Sequence, residues 1–327
     1  MLIIDNKESL GKLERGWALT IGNFDGVHLG HQQIIEATTK ACKDNSARGV
    51  AVMTFEPHPA VILHPEKAPG LLTPLAMKKH LLEGLGVDCL IVLTDTPRLL
   101  NMSPGDFVDQ FLMKTVRPSV VVEGPNFNFG YGRSGNIETL KALGELKGFK
   151  VVEVAPMELN IEGPTDRRSV LCSSSLIRRL LETEQVEQAG NVLGRSYRLM
   201  GKTTAGRGVG RAIGFPTANI EAGSQVIPAE GVYAGFVAVA DSIEQLSKAK
   251  AKRPAAFSIG RAKTFVSDHP LLIEAHILDE DVEDLSGKYL AMDFVKRIRG
   301  QRRFETKEKL AEQIAKDCKK VKEILLC

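Results

Sequence analysis

The chain has 327 residues and is poor in several things. It has five cysteines, Cys42, Cys89, Cys172, Cys318 and Cys327, odd in number, widely scattered and never at metal-ligand spacing. That excludes a disulfide framework and a thiolate zinc site, and leaves reduced thiols without assigned chemistry. Aromatic residues make up 6%, with a single tryptophan. The one biased stretch, SKAKAKRP at 247–254, has no aromatic side chain to stack on bases. With RIRGQRR at 297–303 it could be argued into a nucleic-acid surface, but it reads as a solvated loop between strands, and no nucleic-acid partner is expected. Charge of neither sign dominates: 43 Lys and Arg against 40 Asp and Glu give a formal +3, too little to commit the chain to a polyanion or a membrane surface. No apolar run approaches a membrane span, and MLIIDNKESL lacks the basic start, apolar core and small-residue cleavage site of a secretory leader. A cytoplasmic protein without a membrane partner is expected.

What the chain does contain is organised around residues 17–38, WALTIGNFDGVHLGHQQIIEAT. An apolar run at 18–21 breaks at Gly22, Asn23, Phe24, Asp25 and Gly26, and His28 and His31 open a segment of helical period. Strand, tight turn and helix follow one another. A helix start after such a turn offers unpaired backbone N–H groups that favour phosphate. Residues three apart share a helix face, so both imidazoles are expected to point at that phosphate. A bare pair of histidines at this spacing is common on solvated helices. No Glu stands between them and no third ligand is evident, so the pair does not read as a zinc site.

Beyond the histidine helix, whose apolar stripe is Ile34, Ile35, Thr38, Ala41 and Cys42, the rhythm continues. Strands are predicted at 50–55, 89–93, 119–122 and 151–154, with helices over 104–116 and 137–146. This alternation predicts a doubly wound α/β domain, a parallel sheet with its ligands at the carboxyl ends of the strands. Three stretches fall there: FEPHP at 55–59, EGPNFNFGYGRSG at 123–135, and CSSSLIRRLL at 172–181. Serines at a helix start are ordinarily caps. Here they precede an arginine one turn on, an arrangement able to hold departing phosphates.

From Tyr197 the text becomes short β-rich runs between turns, with no helical period before Thr306. These predict a small antiparallel β-barrel closed by an amphipathic terminal helix. The boundary is placed near Gly194, giving domains 1–193 and 194–327, with residues 175–193 as two helices joining them. GRGVGRAIGFPTANI at 206–220 is the second informative string. Gly206, Gly210 and Gly214 let backbone approach phosphates closely, although no GK[ST] follows to make a P-loop. Thr217 and Asn219 alternate along a strand, so their oxygens share a side and suit a hard cation such as Mg2+. A plain glycine-rich turn is the competing account of this string.

The order of these segments carries a resemblance. GNFDGVHLGH resembles the nucleotidyltransferase signature, and the glycine loop with PTAN resembles the riboflavin kinase module. Together with FEPHP, NFNFG, SSSLIR, LGRSYRLMGK, GVYAG, IEAHIL and the terminal RRF…LAEQIAKD, they make almost the whole chain similar to the bacterial bifunctional riboflavin kinase/FAD synthetases. The resemblance implies an enzyme that makes FMN from riboflavin and ATP, and FAD from FMN and ATP with release of pyrophosphate. It implies that His28 and His31 contact ATP phosphates, with Gly22, Phe24 and Asp25 shaping the adenylate pocket. Asn126 would lie on the flavin-nucleotide side, and Ser174, Ser175 and Arg178 fall on the SSTxIR motif. Thr217 and Asn219 would hold Mg2+, and Glu274 would take the proton of the ribityl 5′-hydroxyl.

Four positions depart from the family pattern. Ser175 replaces Thr, Ser258 replaces Asn, Lys263 replaces Pro and Ser286 replaces Tyr. The last three fall in the kinase half. They leave two alternatives beside the bifunctional reading: an FMN adenylyltransferase with a degenerate kinase module, and a non-catalytic flavin- and nucleotide-binding regulator.

Overall fold

The computed structural model describes residues 1–94, 96–162, 167–205, 209–261, 271–278, 285 and 287–326. Gly206, Lys263, Ser286 and Cys327 lie outside the described residues. The chain divides into two compact units, one of Met1–Pro69, Lys78–Asn160 and Arg168–Cys172, the other of Gly70–Met77, Ile161–Arg167 and Ser173–Cys327.

The first unit is built on six parallel strands: β1 (Leu2–Ile4), β2 (Ala18–Ile21), β3 (Val50–Phe55), β4 (Cys89–Leu93), β5 (Val120–Glu123) and β6 (Lys150–Glu153). Their order is β1-β4-β3-β2-β5-β6. The central strands are apolar runs interrupted only by Thr20 and Thr54, because both of their faces are covered: β2 and β4 are buried at every position. The strands expected at 50–55 and 89–93 stand where the sequence put them, and those expected at 119–122 and 151–154 shift by one residue. The segment expected as one helix over 104–116 has a π-helical centre, Phe107–Leu112, between two short α-helical pieces. Its four buried residues, Phe107, Val108, Phe111 and Leu112, join the main core.

The connections run one way from β2 through β3 to β4 and the other way from β5 to β6, so the direction of winding reverses between β2 and β5. Crevices form at such switch points, outside the carboxyl ends of the strands. Here the two strands on either side of the reversal part early. β2 and β5 pair only at Ala18 with Val120 and Leu19 with Val121. Further along, the Ile21 N–H donates instead to Glu123 Oε1 at 2.6 Å.

The second unit contains a closed antiparallel barrel of β9 (Tyr197–Thr204), β10 (Ala218–Glu221), β11 (Gly231–Ala240), β12 (Arg253–Arg261), β13 (Leu271–Ile277) and β14 (Tyr289–Arg299), in the order β10-β13-β12-β11-β14-β9. The two strands β7 (Glu158–Glu162) and β8 (Arg167–Leu171) form a separate pair that the sequence did not signal. Alternation fills the barrel from one side of each strand: the rings of Tyr197, Tyr233 and Phe257 all meet Phe294. The outer side carries Ala234 and Ala256, small enough for Val321 of the terminal helix Lys307–Leu325 to pack on them. That helix is further fixed by Arg299, whose guanidinium grips the Asp317 carboxylate bidentately at 2.6–3.0 Å.

Two expectations for this half are corrected. Short helices do occur before Thr306, at Val209–Ala212 and Ile243–Lys248, too brief to show a period. The second takes Ser247 and Lys248 out of the expected loop, because Ser242 caps it by accepting from Gln245 N. The helices Ser174–Glu182 and Val186–Leu193 form as expected, and both belong to the second unit.

Candidate active sites

The turn after β2 is held in an unusual conformation. Phe24 and Val27 have φ of +48° and +42°, with Gly26 at +91° between them. Side-chain-bearing residues in this region, a β-branched valine above all, are strained by roughly 1–3 kcal/mol each and persist only where their surroundings fix them. The fixing contacts are specific. Thr54 Oγ1 at the end of β3 donates to Asn23 O at 3.1 Å, Lys78 Nζ donates to the same oxygen at 2.8 Å, and Gln32 Nε2 donates to Val27 O at 3.0 Å.

The turn delivers His28 to the start of the helix Leu29–Asp44, but as its N-cap and not as a residue of its face. His28 Nδ1 accepts the His31 N–H at 3.4 Å, and the two imidazoles stack with centroids 3.6 Å apart and planes 20° from parallel. The expected pairing through helical spacing is thus replaced by ring stacking. The strained turn brings His28 in beside the helix axis, where its ring reaches the first-turn amide. His28 is 5% exposed and Asp25 2%, while Phe24 leans its ring on His31 with centroids 5.0 Å apart. Gly30 keeps this approach open: a Cβ there would stand 3.3 Å from Cys172 Cβ and from two atoms of the His28 ring. Burial pushes the Cys172 thiol up, opposed by the backbone N–H of Gly30.

Two charged groups at this strand end were not singled out from the sequence. Lys78, 5% exposed, lies on the helix Leu75–Gly84. Burial lowers its pKa, against the opposing pull of the Asp25 and Glu56 carboxylates. Glu123 is 3% exposed. Burial raises its carboxyl well above the usual range, opposed by hydrogen bonds from the Ile21 N–H and the Thr20 hydroxyl. Lys78 stands beside a second lysine in an amphipathic stretch and so reads as solvated. Glu123 ends a valine run, and that break is the one signal that could have drawn notice. Asn126 is exposed three residues beyond Glu123, its carbonyl accepting from Asn128 Nδ2 at 2.8 Å.

In the second unit, Ser173 is the N-cap of the helix Ser174–Glu182, its hydroxyl accepting from Leu176 N at 3.2 Å. Ser174 and Ser175 occupy the first turn, and Arg178 Nε donates to Gly70 O at 2.9 Å.

The barrel residues come together on β10, β13 and β12. Glu274 is the direct cross-strand partner of Asn219 on one side and of Ser258 on the other. All three are half-buried and lie between interior residues such as Ala218, Ile273 and Ala275, so their side chains share the outer face of the barrel. Thr217 precedes Asn219 by two and continues that face. Its segment is tied down by His276, whose Nδ1 lies 2.8 Å from Pro216 O and so carries the donated proton, and whose ring meets Phe215 edge-on. Gly210 is required by packing. A Cβ there would stand 2.3 Å from Phe215 O and 3.1 Å from Thr217 Oγ1. Gly214 sits at φ +83°. Ser258 accepts from Gln301 Nε2 at 3.1 Å, and the same nitrogen donates to Ile259 O at 2.9 Å.

Residues 11–164 match the family model of FAD synthetases and residues 193–325 that of riboflavin kinases. Among curated relatives, a bifunctional riboflavin kinase/FMN adenylyltransferase of Escherichia coli K12 is 33% identical over 304 residues, 93% of this chain and 91% of the relative. One of Bacillus subtilis 168 is likewise 33% identical over 91% of this chain and 89% of its own. A solved Streptococcus pneumoniae structure, described as a macrolide-efflux protein, superposes with a TM-score of 0.79 at 26% identity, covering 97% of both chains. Among the described residues here, no helix is long and apolar enough to cross a membrane.

Proposed function

The chain belongs to the family of bifunctional riboflavin kinase/FMN adenylyltransferases, and from that premise we propose which of its residues carry each reaction. The chain phosphorylates riboflavin to FMN with ATP and adenylylates FMN to FAD with a second ATP. Matches to both family models, the second spanning the positions of Ser258, Lys263 and Ser286, favour this over an adenylyltransferase-only or non-catalytic reading.

For adenylyl transfer, an FMN phosphate oxygen attacks the α-phosphorus of ATP, the bond to the bridging oxygen breaks, and pyrophosphate leaves. No covalent protein intermediate is needed, so catalysis consists of positioning and charge stabilisation. His28 and His31 contact the ATP phosphates at the helix N-terminus, and Gly22, Phe24 and Asp25 shape the adenylate pocket. Asn126 serves the flavin nucleotide. Ser174, Ser175 and Arg178 contact phosphate. The stacked imidazole pair that follows the strained turn at the switch point, with His28 buried and His31 half-buried, is the observation that supports this reading most directly.

For phosphorylation of riboflavin, Glu274 takes the proton of the 5′-hydroxyl as that oxygen attacks the γ-phosphorus of ATP, the bond from that phosphorus to the bridging oxygen breaks, and ADP leaves. Asn219 beside Glu274 and Thr217 on the same face offer hard oxygen donors of the kind Mg2+ prefers. Bound there, Mg2+ would neutralise phosphate charge. Gly210 and Gly214 shape the loop against Phe215 and Thr217, and Gly206, Gly210 and Gly214 let the backbone approach the ATP phosphates. The partners are small molecules, riboflavin, FMN and ATP, with neither nucleic acid nor membrane, and the location is cytoplasmic.

Purified protein given riboflavin, ATP and Mg2+ is expected to yield FMN and then FAD by chromatography, and given FMN and ATP to yield FAD directly. FAD from FMN with riboflavin left unconverted would instead establish the adenylyltransferase-only alternative. Binding of flavin and ATP without either product would establish the non-catalytic one.

A further inference from the structure

We propose that Lys78 is a positioning residue for adenylyl transfer, its ammonium clamping the Asn23 carbonyl so that the strained turn presents His28 and the helix start to ATP. The proposal rests on assigning that turn to the adenylyl site.

The geometry is specific. Lysine is seldom buried without partners, because taking an ammonium out of water is costly. Lys78 Nζ nevertheless reaches Asn23 O at 2.8 Å and Thr54 Oγ1 at 3.4 Å. Thr54, itself fully buried, donates to that same carbonyl at 3.1 Å. Two donors from different elements therefore converge on one backbone oxygen, immediately before Phe24 and Val27 turn into the left-handed region. A hydroxyl alone would satisfy the carbonyl. The ammonium adds a stronger, charge-assisted bond, and it sets a cation beneath a turn that leads to the positive end of a helix. Released from Asn23, the turn would relax toward ordinary dihedrals and carry His28 away from its cap. Misplacement on the scale of 1 Å is enough to lower such a reaction about 10²-fold.

The test compares wild type, K78M and T54V in two assays on the full chain: FAD from FMN and ATP, and FMN from riboflavin and ATP. K78M keeps the apolar stem and removes the ammonium. In K78M that melts cooperatively, kcat for FAD formation is expected to fall about 10²-fold. The KM for FMN and the rate of FMN formation should stay as in wild type. A residue that merely supports the fold would lower the melting temperature and leave kcat per folded molecule intact. Folded K78M with FAD kinetics within about threefold of wild type would overturn the proposal. Should K78M fail to fold, T54V decides: a drop of about tenfold in kcat for FAD supports the clamp, and wild-type kinetics refute it. Absence of FAD formation by wild-type protein would overturn the site assignment itself, a result distinct from an active but K78M-insensitive enzyme.

Discussion

Asn219 and Glu274 face each other across the antiparallel pair β10–β13, on the outer face of the barrel. A carboxylate able to accept a proton and an amide oxygen able to hold a cation are thereby fixed side by side, 55 residues apart in the chain. Rigid strands hold them, while the loop that precedes β10 is held by His276 through Pro216.

Glu274→Gln keeps the shape and removes the base. FMN formation from riboflavin is expected to fall by roughly 10²–10⁴-fold, the usual worth of a positioned general base. FAD formation from supplied FMN should remain, and assays with the two flavins separately check both halves of the statement.

His28→Ala removes the helix cap and one of the stacked imidazoles together. FAD formation should drop by roughly 10²–10³-fold, as for loss of one preorganised donor to developing charge. FMN formation, belonging to the other signature, should be unchanged in the same preparation.

Glu123→Gln tests the buried carboxyl that closes the splay between β2 and β5. Burial raises its pKa in the folded chain, so above about pH 4.3, the ordinary glutamate value, the folded state holds a proton that the unfolded state releases. The stability this confers is complete below that pH and is lost as pH rises toward the raised value of Glu123. The amide is neutral throughout and keeps an oxygen for the Ile21 N–H. Denaturant titrations should show the advantage of E123Q over wild type growing across that window, by up to about 1.4 kcal/mol per pH unit.

Asp317→Asn breaks the ion pair that ties the terminal helix to β14. Arg299 and Asp317 are 12% and 6% exposed, so the guanidinium is left buried without its counter-charge. A loss of about 3–5 kcal/mol is expected, read as a lowered midpoint in chemical denaturation monitored on the barrel aromatics.

Much of the local structure at both candidate sites was legible as text. The strand, turn and helix of residues 18–44 depend on an apolar run, a glycine turn and a helical period, all within reach of one another. The alternation of Thr217 and Asn219 likewise needs only the two-residue period of a strand. By itself the sequence determined the class of each half, the order of the strands along the chain and the side chains available for phosphate chemistry.

Tertiary structure decided where those side chains stand and what they touch. His28 became a cap because a strained turn, unreadable from residue preferences, swings it beside the helix axis. Lys78 meets Asn23 across 55 residues, and Glu123 meets Ile21 across 102. No local period records such contacts, for they exist only once parallel strands lie side by side and the splay at the switch point leaves a backbone N–H to be satisfied. Burial then altered what these groups are: a solvated-looking lysine became a buried clamp, and a glutamate at the end of a valine run became a carboxyl whose pKa burial raises.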